Sequence, residues 1–407
     1  MVIYDVIVVG AGPAGGIAAY ECAKKGLTTL LLEKCSIPRE KACGGAVMYR
    51  GIKILQGRIP KDVIEQKIYG LRFVFPNQIQ SEFISDRMIG ITVSRDRFDS
   101  YLSDRAVDSG VELFENARVV HASTSEDHAS VELHDGHEYK SRFLIGADGV
   151  NSVISRSLGL RSQRKDLTLV GLGMESDFHV GYEGVLRATN NNPSVLEIIP
   201  DESRISYGWV FPKREKLAIG VAGSGVHMRN LRATFDHFHK KMEARLGVPL
   251  KLEKRRTCFL GGDGLHCKNV TNRAILVGDA AGFVDPMMGE GIAYAMQSGI
   301  FAADVIEEAM ADEKYDETTL SKYQNLCQNE FSANFEMAAW AGSLGTSFAE
   351  KILSKANGYR FAADIMAMVA RGDIGYSAIP YVILKKLPSE LPNIIRHIVY
   401  QRTVPPS

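Results

Sequence analysis

The 407-residue sequence has no excess of either charge, since 48 lysines and arginines balance 48 aspartates and glutamates. A balanced chain argues against bulk nucleic-acid binding, which usually needs a basic surplus. Its six cysteines are too few and too scattered for a disulfide framework in a chain of this length, and they include no C-x-x-C pair. Cysteine usage of this kind fits a reducing compartment.

Long apolar runs are missing as well. No uninterrupted run approaches the ~20 residues that a bilayer-spanning helix needs. The chain enters a strand-like stretch directly after Met1 and Val2, without the basic and apolar regions of a secretory signal. We therefore expect a cytoplasmic protein, and leave open whether it also docks on the surface of a membrane.

The N-terminal segment has the pattern of a βαβ unit. Tyr4–Gly10 is an apolar run closed by glycine, which is typical of a buried parallel strand. The alanine-rich stretch Pro13–Lys25 ends before Gly26, which fits a helix with a glycine C-cap, and Thr28–Glu33 reads as a second strand. Strand, helix and strand within about thirty residues form the unit on which many dinucleotides bind.

The turn between the first strand and the helix carries Gly10, Gly12 and Gly15 in the pattern G-x-G-x-x-G. Glycines there let backbone amides approach a pyrophosphate, and the helix N-terminus adds donors and a favourable dipole. Glu33, at the end of the second strand, is placed to accept hydrogen bonds from ribose hydroxyls. These residues predict a bound dinucleotide, but they do not separate FAD from NAD.

Three later segments favour a flavin dinucleotide. Arg95 begins a basic cluster at the start of the predicted helix Arg97–Asp108, and it is a candidate clamp for a phosphate or ribityl oxygen, with a solvated helix face as the alternative. Gly146–Gly149 follows a predicted strand. Asp279, after the strand Arg273–Gly278, is placed to accept from ribityl hydroxyls.

A glycine-rich loop after Asp279 leads into another predicted helix. The amides of Gly289, Gly291 and Ile292 begin that helix. A helix N-terminus aimed at the pyrimidine end of a flavin would stabilise the anionic reduced ring.

The middle of the chain has a different pattern. Short alternating strands dominate residues 167–260, with one predicted helix at Leu231–Leu246, and residues 318–400 look mostly helical. We therefore predict an α/β fold, α+β overall, in which an antiparallel-sheet substrate domain interrupts a Rossmann-like FAD-binding domain and a helical region follows. The predicted ranges are 1–160 and 261–310 for the FAD-binding domain, 161–260 for the substrate domain and 311–407 for the helical region.

These motifs together resemble those of the geranylgeranyl reductase family of FAD-dependent oxidoreductases, which has the p-hydroxybenzoate hydroxylase fold. The stretch Lys41–Ala46, Lys-Ala-Cys-Gly-Gly-Ala, resembles that family's Cys-Gly-Gly loop beside the flavin. Tyr207–Lys213 resembles its Y-x-W-x-F-P motif on the substrate sheet. The resemblance covers residues 1–310, and the archaeal lipid-reducing members are the most similar.

The resemblance implies FAD as the cofactor. It implies that Val119, in a predicted strand, contacts adenine through its backbone, and that the other cofactor contacts come from the fingerprint, the Cys-Gly-Gly loop and the later glycine-rich segments. These residues are Gly10, Gly12, Gly15, Glu33, Cys43, Gly44, Ala46, Arg95, Asp279, Gly289, Gly291 and Ile292.

The resemblance also implies an activity. The family reduces isolated double bonds of polyprenyl chains: its archaeal members act on membrane ether lipids, and relatives act on the chlorophyll side chain or on menaquinone tails. An isoprenoid lipid is the expected substrate. Since the sequence holds a single dinucleotide fingerprint, the reductant is expected to visit transiently, either as NAD(P)H or as a ferredoxin-type protein.

An isolated double bond has no carbonyl to accept electrons, so direct hydride addition would leave an unstabilised carbanion. We hypothesise that a proton arrives first or in concert. The aromatic faces of Tyr207 and Trp209 would then stabilise the developing cation by roughly 0.5–2 kcal/mol, and Phe211 would join them in lining an apolar tunnel. The alternative is that these residues, which alternate along one predicted strand, are simply core.

Cys43 is a candidate catalytic residue that touches the flavin or tunes its reactivity. Packing of a small loop residue on the flavin ring is the alternative. The ten histidines and the cysteines form no metal-ligand set, so we predict no metal site.

Two functional questions remain open from the sequence. The segment Tyr376–Ser407 combines four lysines and arginines with one glutamate and many apolar residues, which favours docking on an anionic membrane surface, with ordinary packed helices as the alternative. A flavin monooxygenase or halogenase of the same fold is the competing activity, although the halogenase motif W-x-W-x-I-P is absent. A quinone-linked electron-transfer protein is disfavoured because iron–sulfur cysteine spacing is lacking.

Overall fold

The computed structural model of the protein describes residues 3–161, 170–200, 206–226, 228, 230–357 and 359–386. In the first of these ranges, short strands alternate with helices. The elements are β1 (Ile3–Val9), α1 (Pro13–Lys24), β2 (Thr29–Leu32), β3 (Ala46–Met48), α2 (Tyr49–Ile54), β4 (Ile64–Ile68), β5 (Gly70–Val74), β6 (Gln80–Ile84), β7 (Gly90–Val93), α3 (Arg95–Asp108), β8 (Glu112–Phe114), β9 (Val119–Thr124), β10 (Ala129–Leu133), β11 (Glu138–Gly146) and α4 (Val153–Ser157).

The remaining ranges begin with strands and end with helices. Their elements are β12 (Val170–His179), α5 (Gly181–Ala188), β13 (Val195–Pro200), β14 (Ser206–Pro212), β15 (Lys216–Ser224), α6 (Leu231–Leu246), β16 (Arg256–Gly261), β17 (Val270–Thr271), β18 (Ala274–Leu276), α7 (Gly278–Ala281), α8 (Ile292–Ala311), α9 (Glu317–Ser343), α10 (Thr346–Ala356) and α11 (Arg360–Ala370). Single 3-10 turns lie at Gly264–His266 and Tyr376–Ala378.

The first sheet is mainly parallel. Its strands lie in the order β17-β18-β11-β1-β2-β8, and all neighbours from β18 to β8 run parallel. Val6–Val9 and Thr29–Leu32 are buried throughout, as is typical of parallel strands, which are covered on both faces. Because parallel strands end at the same edge of a sheet, the loops after β1, β2, β11 and β18 meet at one edge.

The second sheet has the strand order β16-β12-β15-β14-β13-β5-β6. Its neighbours are antiparallel except β13 and β5, which pair in parallel. Helix α6 covers one face so closely that a Cβ at Gly208 would lie 2.2 Å from the ring of Phe238. Side chains that point away from α6 therefore face the rest of the molecule.

The membership of this sheet differs from the prediction. The sequence pattern assigns residues 1–160 to the FAD-binding domain, yet β5 and β6 pair within the second sheet because Gly70–Phe73 align with Val195–Ile198. Helix α5 also lies in the region where one helix is predicted, whereas α6 has the predicted bounds. The other predicted domain boundaries stay predictions.

A third, small antiparallel sheet has the strand order β3-β7-β4, and the loop that carries Cys43 leads directly into its strand β3.

Helix α9 packs on the first sheet and on α8. The hydroxyl of Tyr323 in α9 donates to the Leu276 carbonyl of β18 at 2.7 Å, and the ring centroids of Phe335 in α9 and Tyr294 in α8 are 4.9 Å apart. Helices fill 317–370 as predicted, while 387–407 lie outside the described residues. Among the described residues, no helix has the length and hydropathy to cross a bilayer.

Candidate functional site

The fingerprint glycines lie at the carboxyl edge of the first sheet, between β1 and α1. A Cβ at Gly15 would lie 1.8 Å from the carbonyl oxygen of Gly10, and one at Gly10 would lie 2.5 Å from that of Ala147. Gly10 also has a φ of +105°. The close backbone approach therefore explains two of the three glycines without any ligand.

Gly12 is different because the protein itself does not require a glycine there. A Cβ at Gly12 would meet nothing nearer than Arg39 Nη2, at 3.9 Å, and its φ of −82° suits any residue. Gly12 is the N-cap of α1, and it leaves the first amides of the helix without a side-chain cap. An open space in front of uncapped amides is the arrangement in which a helix N-terminus receives a phosphate.

Glu33 directly follows β2 and is almost fully buried. Its Oε2 accepts the Ala11 N–H at 3.0 Å and Arg39 Nη2 at 3.1 Å, and its Oε1 accepts the Cys35 N–H at 3.2 Å. The carboxylate is thus fixed beside the fingerprint loop. The segment after β8 also lies here, since the Ala117 N–H donates to the Glu33 carbonyl at 2.8 Å.

Arg95 lies beside the Cys43 loop, but its guanidinium already has a partner. Nε and Nη2 bind the two carboxylate oxygens of Asp99 at 2.8 and 2.9 Å. Arg39 Nη1 also binds Asp99, at 3.0 Å, so Arg39 connects Asp99 to Glu33. Arg39 is a residue that the sequence analysis missed, and its only signal was a basic side chain in the loop after an acid-ending strand.

Removal of the Arg39 guanidinium is a test of this ion network. Arg39→Ala leaves Glu33 and Asp99 buried with one cation fewer, so we expect a loss of about 3 kcal/mol in the free energy of unfolding, measured with denaturant. The exposed pair Arg360–Asp86 provides the control, because Arg360→Ala is expected to cost less than about 1 kcal/mol. Equal effects of the two substitutions would contradict the assignment.

Asp279 lies at the start of α7, where three helix N-termini converge. A Cβ at Gly278 would lie 2.8 Å from the Ala14 side chain of α1, and one at Gly291 would lie 3.5 Å from Asp279 Oδ1. Gly291 is the N-cap of α8 and has no side-chain cap, so the amides at Ile292 lie near the Asp279 carboxylate. The structure thus brings the fingerprint, Asp279 and Gly291 together.

The aromatic residues of β14 point away from α6, toward the cofactor loops. A Cβ at Gly44 would lie 2.6 Å from the Phe211 ring and 2.9 Å from Trp209 Nε1. Trp209 rests on Gly220 of β15, where a Cβ would lie 2.2 Å from its ring. The Trp209 Nε1–H is buried and has no hydrogen-bond partner among the described residues.

Tyr207 continues this row to the glycine-rich loop before α8. Its hydroxyl donates to the Met288 carbonyl at 2.9 Å, and a Cβ at Gly289 would lie 2.4 Å from that hydroxyl. Burial raises the pKa of Tyr207, and the charge of Asp285 raises it further. Tyr207, Trp209 and Phe211 therefore form one aromatic face between the Cys43 loop and the loop at Gly289, and Trp209 is itself buried.

Cys43 lies where the two sheets meet. Its N–H donates to Glu175 Oε1 of β12 at 2.9 Å, and its Sγ accepts the Gly45 N–H at 3.4 Å. Burial raises the pKa of Glu175, as does the negative charge of Asp177 nearby. Arg256 lies 3.3 Å from Glu175 Oε1. Ala46 follows in β3.

Glu175 and Asp177 were also missed by the sequence analysis. They stand two residues apart in β12 and so share one face of the strand, a spacing that was visible in the sequence. Lys213 binds Asp177 at 2.7 Å and Arg256 binds it at 2.8 Å. Although burial raises the pKa of Asp177, these two cations lower it overall.

The remaining predicted site residues have structural neighbours of their own. Val119 is buried at the start of β9, two residues beyond Ala117, which bonds to Glu33. Asp148, in the motif Gly146–Gly149, caps a helix: its Oδ2 accepts the N–H groups of Val153 and Ile154 at the start of α4. Among the described residues, no group of His, Cys, Asp and Glu side chains is arranged to hold a metal ion.

The residues present fit a flavin dinucleotide. The open space at Gly12 and the uncapped amides of α1 and α8 lie at one edge of the first sheet, and the unpartnered Trp209 N–H lies beside Gly44 in the Cys43 loop. The amides and the indole N–H are hydrogen-bond donors, which suits a ligand with a pyrophosphate and an electron-rich ring system.

Comparison with known proteins agrees with this fit. A family model described as an FAD binding domain matches residues 3–336. A digeranylgeranylglycerophospholipid reductase of Methanococcus vannielii is 31% identical over 335 residues, which cover 79% of this chain and 81% of that protein. One from Thermoplasma acidophilum is 29% identical over 362 residues, which cover 81% and 85%.

Solved structures show the same fold. A geranylgeranyl bacteriochlorophyll reductase-like protein from Thermoplasma acidophilum matches with a TM-score of 0.75 at 23% identity, over 97% of this chain and 98% of that one. The flavin-dependent brominase Bmp2 matches with the same TM-score of 0.75 at 18% identity, over 99% and 100%. At these identities the likeness concerns the fold and does not choose between reduction and halogenation.

Proposed function

We propose that this chain saturates isolated double bonds of geranylgeranyl or polyprenyl chains. The chain belongs to the FAD binding domain family and is an FAD-dependent oxidoreductase of the geranylgeranyl reductase group. Membrane ether lipids are the proposed substrate class. The curated relatives named digeranylgeranylglycerophospholipid reductase support this choice, because the chain matches them along about four-fifths of its length.

The observation that carries the proposal is the aromatic face of Tyr207, Trp209 and Phe211 against Gly44. An alkene lying along the edge of this face, beside the contact with Gly44, would meet aromatic rings near the cofactor loop, with little water around it. The reaction begins from an uncharged, apolar chain, so an apolar wall binds it, and the ring faces stabilise positive charge that develops during proton addition by roughly 0.5–2 kcal/mol.

The cofactor supplies the hydride when it is bound and reduced. Gly12 and the α1 amides would hold its pyrophosphate, Glu33 and the Val119 backbone its adenosine end, Arg95 and Asp279 its middle part, and the amides at Gly289, Gly291 and Ile292 its pyrimidine end. Gly10, Gly15, Gly44 and Ala46 shape the loops against it. Cys43 is proposed to touch the ring, with its amide anchored on Glu175.

The substrate class is tested with the flavoprotein reduced under anaerobic conditions and mixed with a geranylgeranyl ether lipid. We expect reoxidation of the flavin together with a saturated product. The same lipid already saturated is the matched control and should leave the flavin reduced. Free menaquinone and a geranylgeranylated chlorophyll form the other arms, and faster saturation of the isoprenoid chain of either one, measured by mass, would move the substrate away from ether lipids.

A monooxygenase or halogenase would give a different outcome in the same reoxidation experiment. Such an enzyme would reoxidise with oxygen, and with halide present would yield a halogenated product, while the anaerobic lipid would do nothing. The reductant is proposed to be a transient NAD(P)H or a ferredoxin-type donor. Mixing the oxidised protein with each donor and following flavin bleaching identifies which of them reacts.

Docking on an anionic membrane surface is proposed for the C-terminal region. The predicted segment Tyr376–Ser407 is described only to residue 386, so the proposal is argued from helix α10, which precedes it. None of the residues of α10 is buried, and its Phe348 and Ile352 are about half exposed beside Lys351 and Lys355. Apolar side chains flanked by lysines suit the interface of an anionic bilayer. Phe348→Ser with Ile352→Ser should reduce flotation with phosphatidylglycerol vesicles at least tenfold, and unchanged flotation would contradict the assignment.

A further inference from the structure

A buried group of ionisable side chains lies behind the loop that joins α7 to α8. Asp285 is 1% exposed, and its Oδ1 accepts the N–H groups of Met287 and Met288, both at 2.8 Å. Its other oxygen, Oδ2, is buried without a hydrogen-bond partner among the described residues. The Asp285 N–H donates to the Glu290 carbonyl at 2.9 Å and closes the loop that carries both acids. The charge of Asp285 acts on the Glu290 carboxyl and raises its pKa.

Glu290 has a similar environment. Its Oε2 lies 3.6 Å from Arg50 Nε of α2, while its Oε1 is buried and has no hydrogen-bond partner in the described part of the chain. Tyr294 of α8 accepts from Arg50, and Tyr376 of the C-terminal 3-10 turn lies near Asp285 and lowers the pKa that burial raises. Tyr207 of β14 faces the same loop.

The charges of this group do not balance unless a proton is present. Arg50 is the cation that faces the two carboxyl groups among the described residues, and the other ionisable neighbours are neutral tyrosines. A buried carboxylate oxygen without a partner is costly, whereas a protonated one is neutral. One proton shared by the pair leaves one negative charge against Arg50, and the group is then neutral overall.

We propose that Asp285 and Glu290 form a buried carboxyl pair that holds one proton and supplies it to the double bond of the substrate. This inference rests on the proposed function. The carboxyl O–H bond breaks, and a C–H bond forms at one alkene carbon with the π electrons of the double bond. The other carbon receives the hydride that the reduced cofactor supplies, and the carboxylate left behind is balanced by Arg50.

The pair is placed for this role by the loop that it shares with the aromatic face. Asp285 binds the N–H of Met288, and the carbonyl of Met288 binds the hydroxyl of Tyr207. Two other ionisable groups near that face, Tyr207 and Cys258, are poor acids at neutral pH, since burial raises the pKa of Tyr207 and raises that of Cys258 to about 12. The carboxyl of Glu175 also has a raised pKa, but it is committed to the Cys43 N–H and to Arg256 rather than to the loop at Met288. Burial raises the pKa of Glu290 to about 7, which suits a proton donor under these conditions.

The first test is infrared titration of the FAD-loaded protein, which reports the carboxyl proton without any turnover. We expect a protonated-carboxyl band that shifts in D2O and disappears with a midpoint near pH 7. Glu290→Gln should remove the titrating band. Glu197→Gln, which alters a buried glutamate paired with Arg72 and Arg245 in the second sheet, should keep it. A wild-type protein without such a band overturns the proposal.

The second test follows single-turnover reoxidation of the reduced flavoprotein by the geranylgeranyl lipid. Wild-type rates should fall above pH 7, Glu290→Gln should be at least tenfold slower with little pH dependence, and Glu290→Asp should recover the pH dependence. A Glu290→Gln rate equal to wild type refutes the proton-donor role. If the lipid does not react with the wild type while the infrared band titrates, the proposed substrate has failed and the proton-holding pair has not.

Thermal unfolding gives a third readout, with a defined sign. Glu290 has a raised pKa in the folded protein, so its contribution to stability is fully present below its unfolded value of about 4.5 and is lost as the pH rises through about 7. The wild type should therefore lose stability relative to Glu290→Gln between these two pH values. A difference in Tm that is constant with pH would contradict a shared proton.

Discussion

Gly15→Ala is expected to abolish FAD binding and to cost the protein about 3 kcal/mol of stability. A Cβ at this position would lie 1.8 Å from the Gly10 carbonyl oxygen and 3.0 Å from the Ala147 side chain. Since the nearest atom belongs to the backbone, α1 would have to move away from β1. Flavin absorbance after purification and denaturant unfolding of the cofactor-free protein measure the two effects separately.

Gly12→Ala is the matched variant, and it separates folding from cofactor binding. Its Cβ has 3.9 Å of clearance from Arg39 Nη2, and the backbone conformation suits alanine. We expect the cofactor-free protein to keep its stability within about 1 kcal/mol. FAD affinity should fall roughly 100-fold, because the methyl group occupies the space in front of the α1 amides. Retention of wild-type affinity would place the pyrophosphate elsewhere.

Gly44→Ala is expected to lower lipid reduction by roughly 100-fold while FAD stays bound. The new Cβ would lie 2.6 Å from the Phe211 ring and 2.9 Å from Trp209 Nε1, so the Cys43 loop and the aromatic face must separate. A displacement of about 1 Å between a reactant and its partner costs on the order of 100-fold in rate. Single-turnover reoxidation by the geranylgeranyl lipid measures the loss.

A second substitution tests whether contact with the aromatic face causes this loss. Phe211→Leu makes room for the methyl group that Gly44→Ala adds, so the variant that combines the two substitutions should recover part of the lost rate. Gly342→Ala in α9 is the control for a glycine-to-alanine change without a clash, because a Cβ there would meet nothing within 4 Å. It should leave the rate of lipid reduction unchanged. Full activity of Gly44→Ala would show that substrate does not lie at this contact.

The parts of the fold that the sequence predicted are those set by local pattern. The bounds of α6 follow from its apolar spacing, and the βαβ unit follows from a strand, a glycine turn and a helix that are neighbours in the chain. The glycines, Glu33 and Asp279 could be placed at one edge because parallel strands end together. The pairing of β5 with β13 could not be predicted, since it joins distant segments and depends on the whole sheet.

The same distinction applies to the site. The aromatic alternation of Tyr207, Trp209 and Phe211 was visible, but periodicity does not reveal which face of a strand meets the cofactor loops. The ion pair between Arg95 and Asp99 could have been predicted from the sequence, because the two residues are one helical turn apart at the i,i+4 spacing. The contact of Arg50 with Glu290 and that of Tyr376 with Asp285 were not, because they join α2 and the C-terminal region to a loop far along the chain.

The measurement that tests the central claim most directly is the stoichiometry of one anaerobic turnover. The flavoprotein is reduced, freed of excess reductant and mixed with the geranylgeranyl ether lipid, and the product is weighed by mass spectrometry. The account predicts that each flavin reoxidised adds one pair of hydrogens to one double bond. Two results would contradict it. One is flavin that stays reduced in the presence of the lipid, and the other is flavin that is reoxidised only after oxygen enters, with no gain of hydrogen mass in the lipid.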